Sequence, residues 1–397
     1  MKGLNTSKNA GKLVKLTKLN RTVCVRLTVS PEDSAKLSET HALYRDACNF
    51  VVPIVCKNKE SRLWQRFSLH HVAYPKIRER FPALGAQLAC NVIRSVSSAY
   101  KTELANHPQQ LKQPELKAIS FKNPSVHLDK NTITYRDNGT VSLYTLKGRV
   151  EATLAPGDRQ RLLLASGKRK ESNLVLHRGY GKRPDFWELH ITVENDVQPV
   201  SPSELQTKEV MMGVDVGENN MAAASTGKLW KAGKLKHNRD RKQSLRTRLQ
   251  RNGSRSAKQH LRKASRRERR HVAHVNHVVS RDIVNEAKEK KKKLIILEDL
   301  THIRERIKAN LRVHARLHRW PFRKLQQMIV YKAIQEGMEV MFVDPHYTSQ
   351  TCARCGKLGA RKKHRFQCSC GYRAHADLNA SRNLLGLGYQ LMSQGLQ

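Results

Sequence analysis

Three acidic residues stand where a carboxylate is costly. Asp215 interrupts the apolar run "VMMGVDVG", Glu298 closes "KLIILE", and Asp377 opens "ADLNASRNLLGLG". Burying such a group is expensive unless something cationic pairs with it. Taken singly, each fits a helix cap or a strand-end carboxylate. Brought together at one end of a sheet, the three make a site for a hard cation such as Mg²⁺, which takes oxygen ligands from a few carboxylates plus substrate phosphates. Two such ions about 3.5–4 Å apart activate a water and stabilise the leaving 3′ oxygen in phosphodiester hydrolysis. In that scheme Asp215 bridges both ions while Glu298 and Asp377 hold one each, which is nuclease chemistry. Asp299 follows Glu298 in a strand and so points to the opposite face. Glu218, in the turn after Gly217, is expected to be exposed.

The cysteines divide into two groups. Cys24, Cys48, Cys56 and Cys90 are scattered through apolar stretches, as buried free thiols are, whereas Cys352, Cys355, Cys368 and Cys370 are clustered. Cys352-x₂-Cys355 and Cys368-x-Cys370 have the spacing of two knuckles around a tetrahedral structural Zn²⁺. Four thiolates leave no open position for catalysis. The second pair has a single intervening residue, so its turn must be tight, with Gly371 relieving the backbone just after. His364 or His375 is the alternative to Cys370 as fourth ligand.

The formal net charge is +42, from 75 Lys+Arg against 33 Asp+Glu. A compact structure so charged repels itself unless a polyanion neutralises it, and nucleic acid is the obvious one. Between Lys236 and Arg270 fifteen residues are Lys or Arg and two are acidic. Arg255, Lys258, Arg262, Arg266 and Arg269 recur at intervals of three or four, along one helical face. A charge run is usually a solvated face, but one this one-sided is suited to tracking nucleic-acid phosphates. Val272, Val275, Val279 and Ile283 form a core-packing stripe further along. Trp320-Pro321 and Tyr347 are candidates for base stacking, against the commoner core role of aromatics. No run of eighteen apolar residues and no apolar leader core is present, so no membrane role is expected. The expectation is a soluble, cytoplasmic, nucleoid-associated protein.

These residues need a scaffold, and the pattern predicts a multi-domain α+β chain. "RTVCVRLTVS" alternates like a strand, and residues 35–114 show helical spacing, as in Leu88, Val92, Val96 and Ala99. From Ile119 to Glu194, short alternating runs separated by Asn-Gly and Pro-Gly turns predict a small antiparallel barrel or sheet. Residues 1–34 and 115–200 would then form one β domain with a helical insertion at 35–114. Gln198 to Glu204 looks like a linker. Beyond it, strands alternate with helices, an α/β layer over 208–351 and 371–397 with a ribbon inserted at 352–370.

The motifs "GVDVGENNMAAAS", "LIILEDL", "YTSQTCARCG" and "HADLNASRN" occur in this order, with about eighty residues between successive acidic positions. The set resembles the RuvC-like nuclease of the TnpB family, the RNA-guided endonucleases of certain insertion sequences and relatives of type V CRISPR effectors. Asp215/Gly217, Glu298/Leu300, Cys352/Cys355 and Asp377/Asn379/Ala380 match the family's pattern, whereas Cys368-x-Cys370 departs from its commoner two-residue spacing. The resemblance implies an RNase H-like nuclease domain with a zinc ribbon, a wedge-like β domain interrupted by a helical recognition domain, and endodeoxyribonuclease activity. It implies a transposon-derived guide RNA and target DNA as partners, on which the protein acts as a monomer or dimer, next to a short flanking motif. Protein reading motif and shape while pairing reads sequence is the logic of such effectors. The rival readings are a nuclease-inactive RNA-guided repressor, a small type V CRISPR effector, and a guide-free transposase or resolvase.

Overall fold

The computed structural model describes residues 11–14, 18–179, 184–300, 322–344 and 348–394. The chain divides into two compact units, Lys18–Asp196 and a second made of Met1–Thr17 with Val197–Gln397. The short strand β1 (Lys12–Leu13) belongs to the second unit.

Within Lys18–Asp196 the elements are β2 (Lys18–Thr28), α1 (Pro31–Lys57), α2 (Arg66–Arg80), α3 (Ala86–Asn106), β3 (Val126–Leu128), β4 (Ile133–Tyr135), β5 (Thr140–Thr145), β6 (Gly148–Ala155), α4 (Asp158–Ala165), β7 (Lys168–His177) and β8 (Phe186–Asp196). Helix α1 begins at Pro31, which suits a first helical turn, and Ser30 caps it, accepting from the Asp33 N–H at 3.1 Å. The strands form one antiparallel sheet in the order β3-β7-β8-β2-β6-β5-β4. Its two edges approach each other, since the Tyr135 hydroxyl of β4 lies 2.7 Å from Ser172 Oγ of β7 and Arg169 stacks on the Tyr135 ring. The sheet is therefore nearly closed. Val23, Val25 and Leu27 of β2 and Trp187, Leu189 and Ile191 of β8 point into the same apolar cluster as Tyr44, Val51, Leu88 and Val92 of the helices. Helices and sheet thus share one core, so the helical segment is not a separately cored domain.

The second unit contains β9 (Met211–Asp215), β10 (Asn220–Ala224), β11 (Leu229–Lys231), α5 (Gly233–Asn252), α6 (Arg255–Glu289), β12 (Leu294–Glu298), α7 (Phe322–Gln335), β13 (Glu339–Val343), β14 (Ala360–Lys362), β15 (Arg365–Gln367), β16 (Arg373–His375) and α8 (Ala376–Ser393). The basic stretch is two helices, because Gly253 adopts a left-handed φ of 65° and Ser254 caps α6. Strand order is β1-β13-β12-β9-β10-β11, with β9, β12 and β13 parallel. Placing the leader in the β domain needs correction at Lys12–Leu13, which pairs antiparallel with Met341 and Phe342 of β13 and forms the edge strand there among the described residues.

Both faces of this sheet are covered, which explains why its strands read as continuous apolar runs. Met212, Val214, Ile295 and Leu297 pack with Ile283 and Val284 of α6 and Leu325 and Ile329 of α7. Met211, Leu294, Ile296 and Met341 pack instead with Leu384 of α8. Strand alternation therefore directs position 215 of β9 and position 298 of β12 to the α8 face.

Candidate active site and cysteine cluster

The α8 face is where Asp377 enters. Parallel pairing sets Val214 beside Leu297, so the next residues, Asp215 and Glu298, end their strands at one level. Asp377 sits in the first turn of α8, capped by His375, and is 7 % exposed. Gly213 lets the helix come this close, since a Cβ there would collide with the Ser381 carbonyl of α8. Gly388 serves the same approach further along the helix, against the Ile296 side chain. Three segments far apart in sequence thereby bring their carboxylates to one end of the sheet, the usual location of ligand sites in α/β layers.

Asp377 is fixed from two sides. Asn220 Nδ2 donates to its Oδ2 at 2.8 Å and Arg361 Nη2 to its Oδ1 at 3.1 Å. Burial, then the Asp377 charge, push Asp215 up to about 7 against the opposing pull of Arg361 and the Val216 N–H. Glu298 rises to about 8, first through burial and then through Asp215 and Asp344. Clustered carboxylates that resist ionisation are groups whose negative charge is undercompensated, and a divalent cation supplies what they lack. An all-oxygen donor set of this kind fits Mg²⁺.

The four cysteines of the C-terminal segment converge. The Sγ atoms of Cys352, Cys355, Cys368 and Cys370 all lie within 4.8 Å of one another. Cys352 and Cys370 are 3.7 Å apart, and Cys355 and Cys368 3.6 Å. The tight second turn closes through the Gly371 N–H on the Cys368 carbonyl at 3.0 Å, with Gly371 at φ 82°. The donor set suits a closed tetrahedral Zn²⁺. His364 and His375 stand outside the cluster, stacked on each other at 5.8 Å, and His375 Nδ1 accepts from the Asp377 N–H.

The cluster is fastened to the acidic site. Buried Phe366 of β15 packs with Cys352, Cys368 and Ala376. Asn379 accepts from the Ala353 N–H at 3.0 Å and donates to the Thr351 carbonyl at 2.7 Å, while Asn383 donates to the carbonyls of Thr348 and Thr351.

Of the predicted nucleic-acid residues, Arg255, Lys258, Arg262, Arg266 and Arg269 are all exposed on α6, and none pairs with an acid among the described residues. Glu268 on the same helix takes Arg239 and Arg246 instead. Trp320, Pro321 and Tyr347 lie outside the described residues. Glu218 is half-buried and not exposed as expected, with Oε1 shielded from solvent. Asn220 and Asp344 escaped the sequence reading, whereas Asn379 had its signal in the Asp-x-Asn-Ala motif. Among the described residues, no helix is long and apolar enough to cross a membrane.

Residues 322–384 match the family described as the Cas12f1-like TNB domain. The chain is 41 % identical over 114 residues to the CRISPR-associated endodeoxyribonuclease Cas12f1 of Sulfoacidibacillus thermotolerans, covering 28 % of this chain and 25 % of that protein. It is 29 % identical over 254 residues to a TnpB-like protein of Methanocaldococcus jannaschii, covering 57 % of this chain and 90 % of the relative. Alignment thus spans a quarter of the first relative and nine-tenths of the second. In fold, the chain resembles Cas12f1 as determined by cryo-electron microscopy in complex with sgRNA and target DNA, with a TM-score of 0.63 at 13 % identity, over 93 % of this chain and 99 % of that one.

Proposed function

We propose that the chain, similar over parts of its length to a TnpB-like protein and to Cas12f1, is an RNA-guided DNA endonuclease of that kind, cutting by metal-dependent phosphodiester hydrolysis. The observation that carries this reading is the meeting of Asp215, Glu298 and Asp377 on the α8 face, in an RNase H-like strand order. Asp215, Glu298 and Asp377 would hold the Mg²⁺ that this reaction needs. Bound there, the metal would supply Lewis-acid polarisation of the phosphate and a nucleophile at neutral pH.

The chain's own residues have distinct tasks in this reading. Asn220 keeps the Asp377 carboxylate oriented in the absence of substrate. Arg361, on the rim of the cysteine ribbon, neutralises Asp377 and is within reach of a phosphodiester entering beside it. The ribbon holds a structural Zn²⁺ through Cys352, Cys355, Cys368 and Cys370, and positions Asp377 through Phe366, Asn379 and Asn383. The exposed cations of α6 track the backbone of a guide RNA or its heteroduplex. A transposon-derived RNA supplies the guide, and the protein reads a short motif beside the target.

Purification with and without the adjacent non-coding RNA tests this. Wild-type protein carrying its RNA should cut matched DNA with Mg²⁺, and Asp215→Ala should bind the same target without cutting it. Sequencing the bound RNA separates transposon-derived from repeat-derived guides. Cleavage by nucleic-acid-free protein would overturn the guided reading, and full cutting by Asp215→Ala would overturn the site.

A further inference from the structure

A second group of metal-binding side chains lies in the Lys18–Asp196 unit, on the face of the sheet away from its core. Strand alternation sends Val23, Val25 and Leu27 of β2 inward and leaves Cys24 outward and half-buried; on β8, Trp187, Leu189 and Ile191 go inward while Glu188 and His190 face out. Cys24 is the direct cross-strand partner of His190, and Glu188 is one diagonal step away. Direct and diagonal neighbours on one face are within side-chain reach. Cys24 Sγ, a Glu188 carboxylate oxygen and a His190 ring nitrogen accordingly lie within 4.8 Å of one another.

From this juxtaposition we infer that Cys24, Glu188 and His190 form a site for a borderline divalent transition ion, Zn²⁺ being the type ion. One thiolate, one imidazole and one carboxylate suit such an ion, and a sulfur donor disfavours Mg²⁺ or Ca²⁺. Zn²⁺ bonds of about 2.0–2.3 Å put tetrahedral ligand atoms roughly 3.3–3.8 Å apart. The present spacing brackets that range: all three ligand atoms lie within 4.8 Å of one another, and His190 Nε2 is 2.9 Å from Glu188 Oε2. Binding releases the Cys24 thiol proton to solvent and requires the neutral His190 ring to keep its proton on Nδ1.

The surroundings include the supporting group such sites have. His177 of β7 places Nε2 at 2.8 Å from Glu188 Oε2, and His190 Nε2 is 2.9 Å from the same oxygen. When His190 turns to an ion, His177 remains as the donor that orients the carboxylate, the role that outer groups play around metal ligands. His177 is itself stacked on Phe186, which also carries Arg26 over its ring, so this donor is held in place. Gln160 of α4 donates to the Cys24 carbonyl, tying the ligand-bearing strand to the helix beside it. Three protein ligands leave the fourth position to water. The site is separate from the four-cysteine cluster, which belongs to the other unit.

Zn²⁺ content of the full-length protein after equilibrium dialysis against Zn²⁺, with Mg²⁺ in large excess to occupy the carboxylate site, tests the assignment. Wild type should bind two equivalents, and Cys24→Ser and His190→Gln should each bind one, with at least a tenfold weaker second affinity. His177→Gln should keep the second equivalent at reduced affinity. With Co²⁺ in place of Zn²⁺, the second equivalent should add a single-thiolate charge-transfer band that Cys24→Ser removes. Should Cys24→Ser fail to fold, His190→Gln decides the question alone. A single equivalent in wild type, or a second equivalent unchanged in both ligand variants, would refute the site and leave the cluster as a hydrogen-bonded Glu–His group.

Discussion

Asp215 and Glu298 keep protons at pH values where an unfolded chain has released them. Their ordinary pKa values of 3.8 and 4.5 become about 7 and about 8 on folding. Between those limits the folded protein binds more protons than the unfolded one, so stability falls as pH rises. The contribution is fully present below about pH 4 and is lost as pH rises through the folded pKa values. Divalent cations should reverse this loss. In thermal melts Mg²⁺ should therefore stabilise the protein far more at about pH 8.5 than at about pH 5.5, and Asp215→Asn should flatten the metal-free pH dependence. Equal stabilisation at both pH values would contradict the argument. A second expectation concerns Arg361, which holds Asp377 at 3.1 Å. Arg361→Ala should lower the cleavage rate while guided target binding stays as in wild type, since its guanidinium faces the acidic site; an unchanged rate would remove it from the mechanism.

At the scale of elements, helix α8 is the part that completes the acidic site, and its seat on the sheet depends on two glycines. Gly213→Ala sets a methyl group against the backbone of α8 itself, where nothing flexible can yield. Overpacking of this kind costs about 1–3 kcal/mol. The expected variant is folded and retains ribbon zinc but cleaves poorly, because Asp377 is displaced from Asp215. Wild-type cleavage by Gly213→Ala would show that the close approach is dispensable. Cys352→Ser should act from the other side, with lost zinc and a lowered melting temperature of the C-terminal unit. Elements of this kind were readable in advance: β9 and β12 as apolar runs, and α8 from the motif that carries Asp377. Partners across the fold were not. Asn220 meets Asp377 across 157 positions, and no local pattern distinguishes it from any other turn asparagine. β1 is two residues long, with no periodicity to reveal it, and its partner β13 lies more than three hundred residues further along the chain. The shared core of α1–α3 and the nearly closed sheet was hidden for a related reason: apolar spacing shows that a helix has a buried face, not what covers it.

For the whole molecule, charge is the dominant fact. A formal +42 is a standing repulsion that polyanion binding relieves, and a share of it is exposed on α6. If Arg255, Lys258, Arg262, Arg266 and Arg269 touch phosphates, replacing them by glutamine should weaken RNA retention uniformly across guide sequences. The slope of log affinity against log salt should fall by about 0.7–0.9 for each phosphate that is no longer neutralised. An unchanged slope would return this helix to the status of a solvated surface. The pairing of Lys12–Leu13 with β13 bears on how such proteins can be recombined. Because the strand before Lys18 and the strands after Asp196 share one sheet, the N-terminal unit is an insert fastened at both ends. Exchanging it between relatives takes two junctions, one on either side. A chimera joined at one junction alone would import a foreign edge strand into the six-stranded sheet, and its failure would be misread as incompatibility of the exchanged unit.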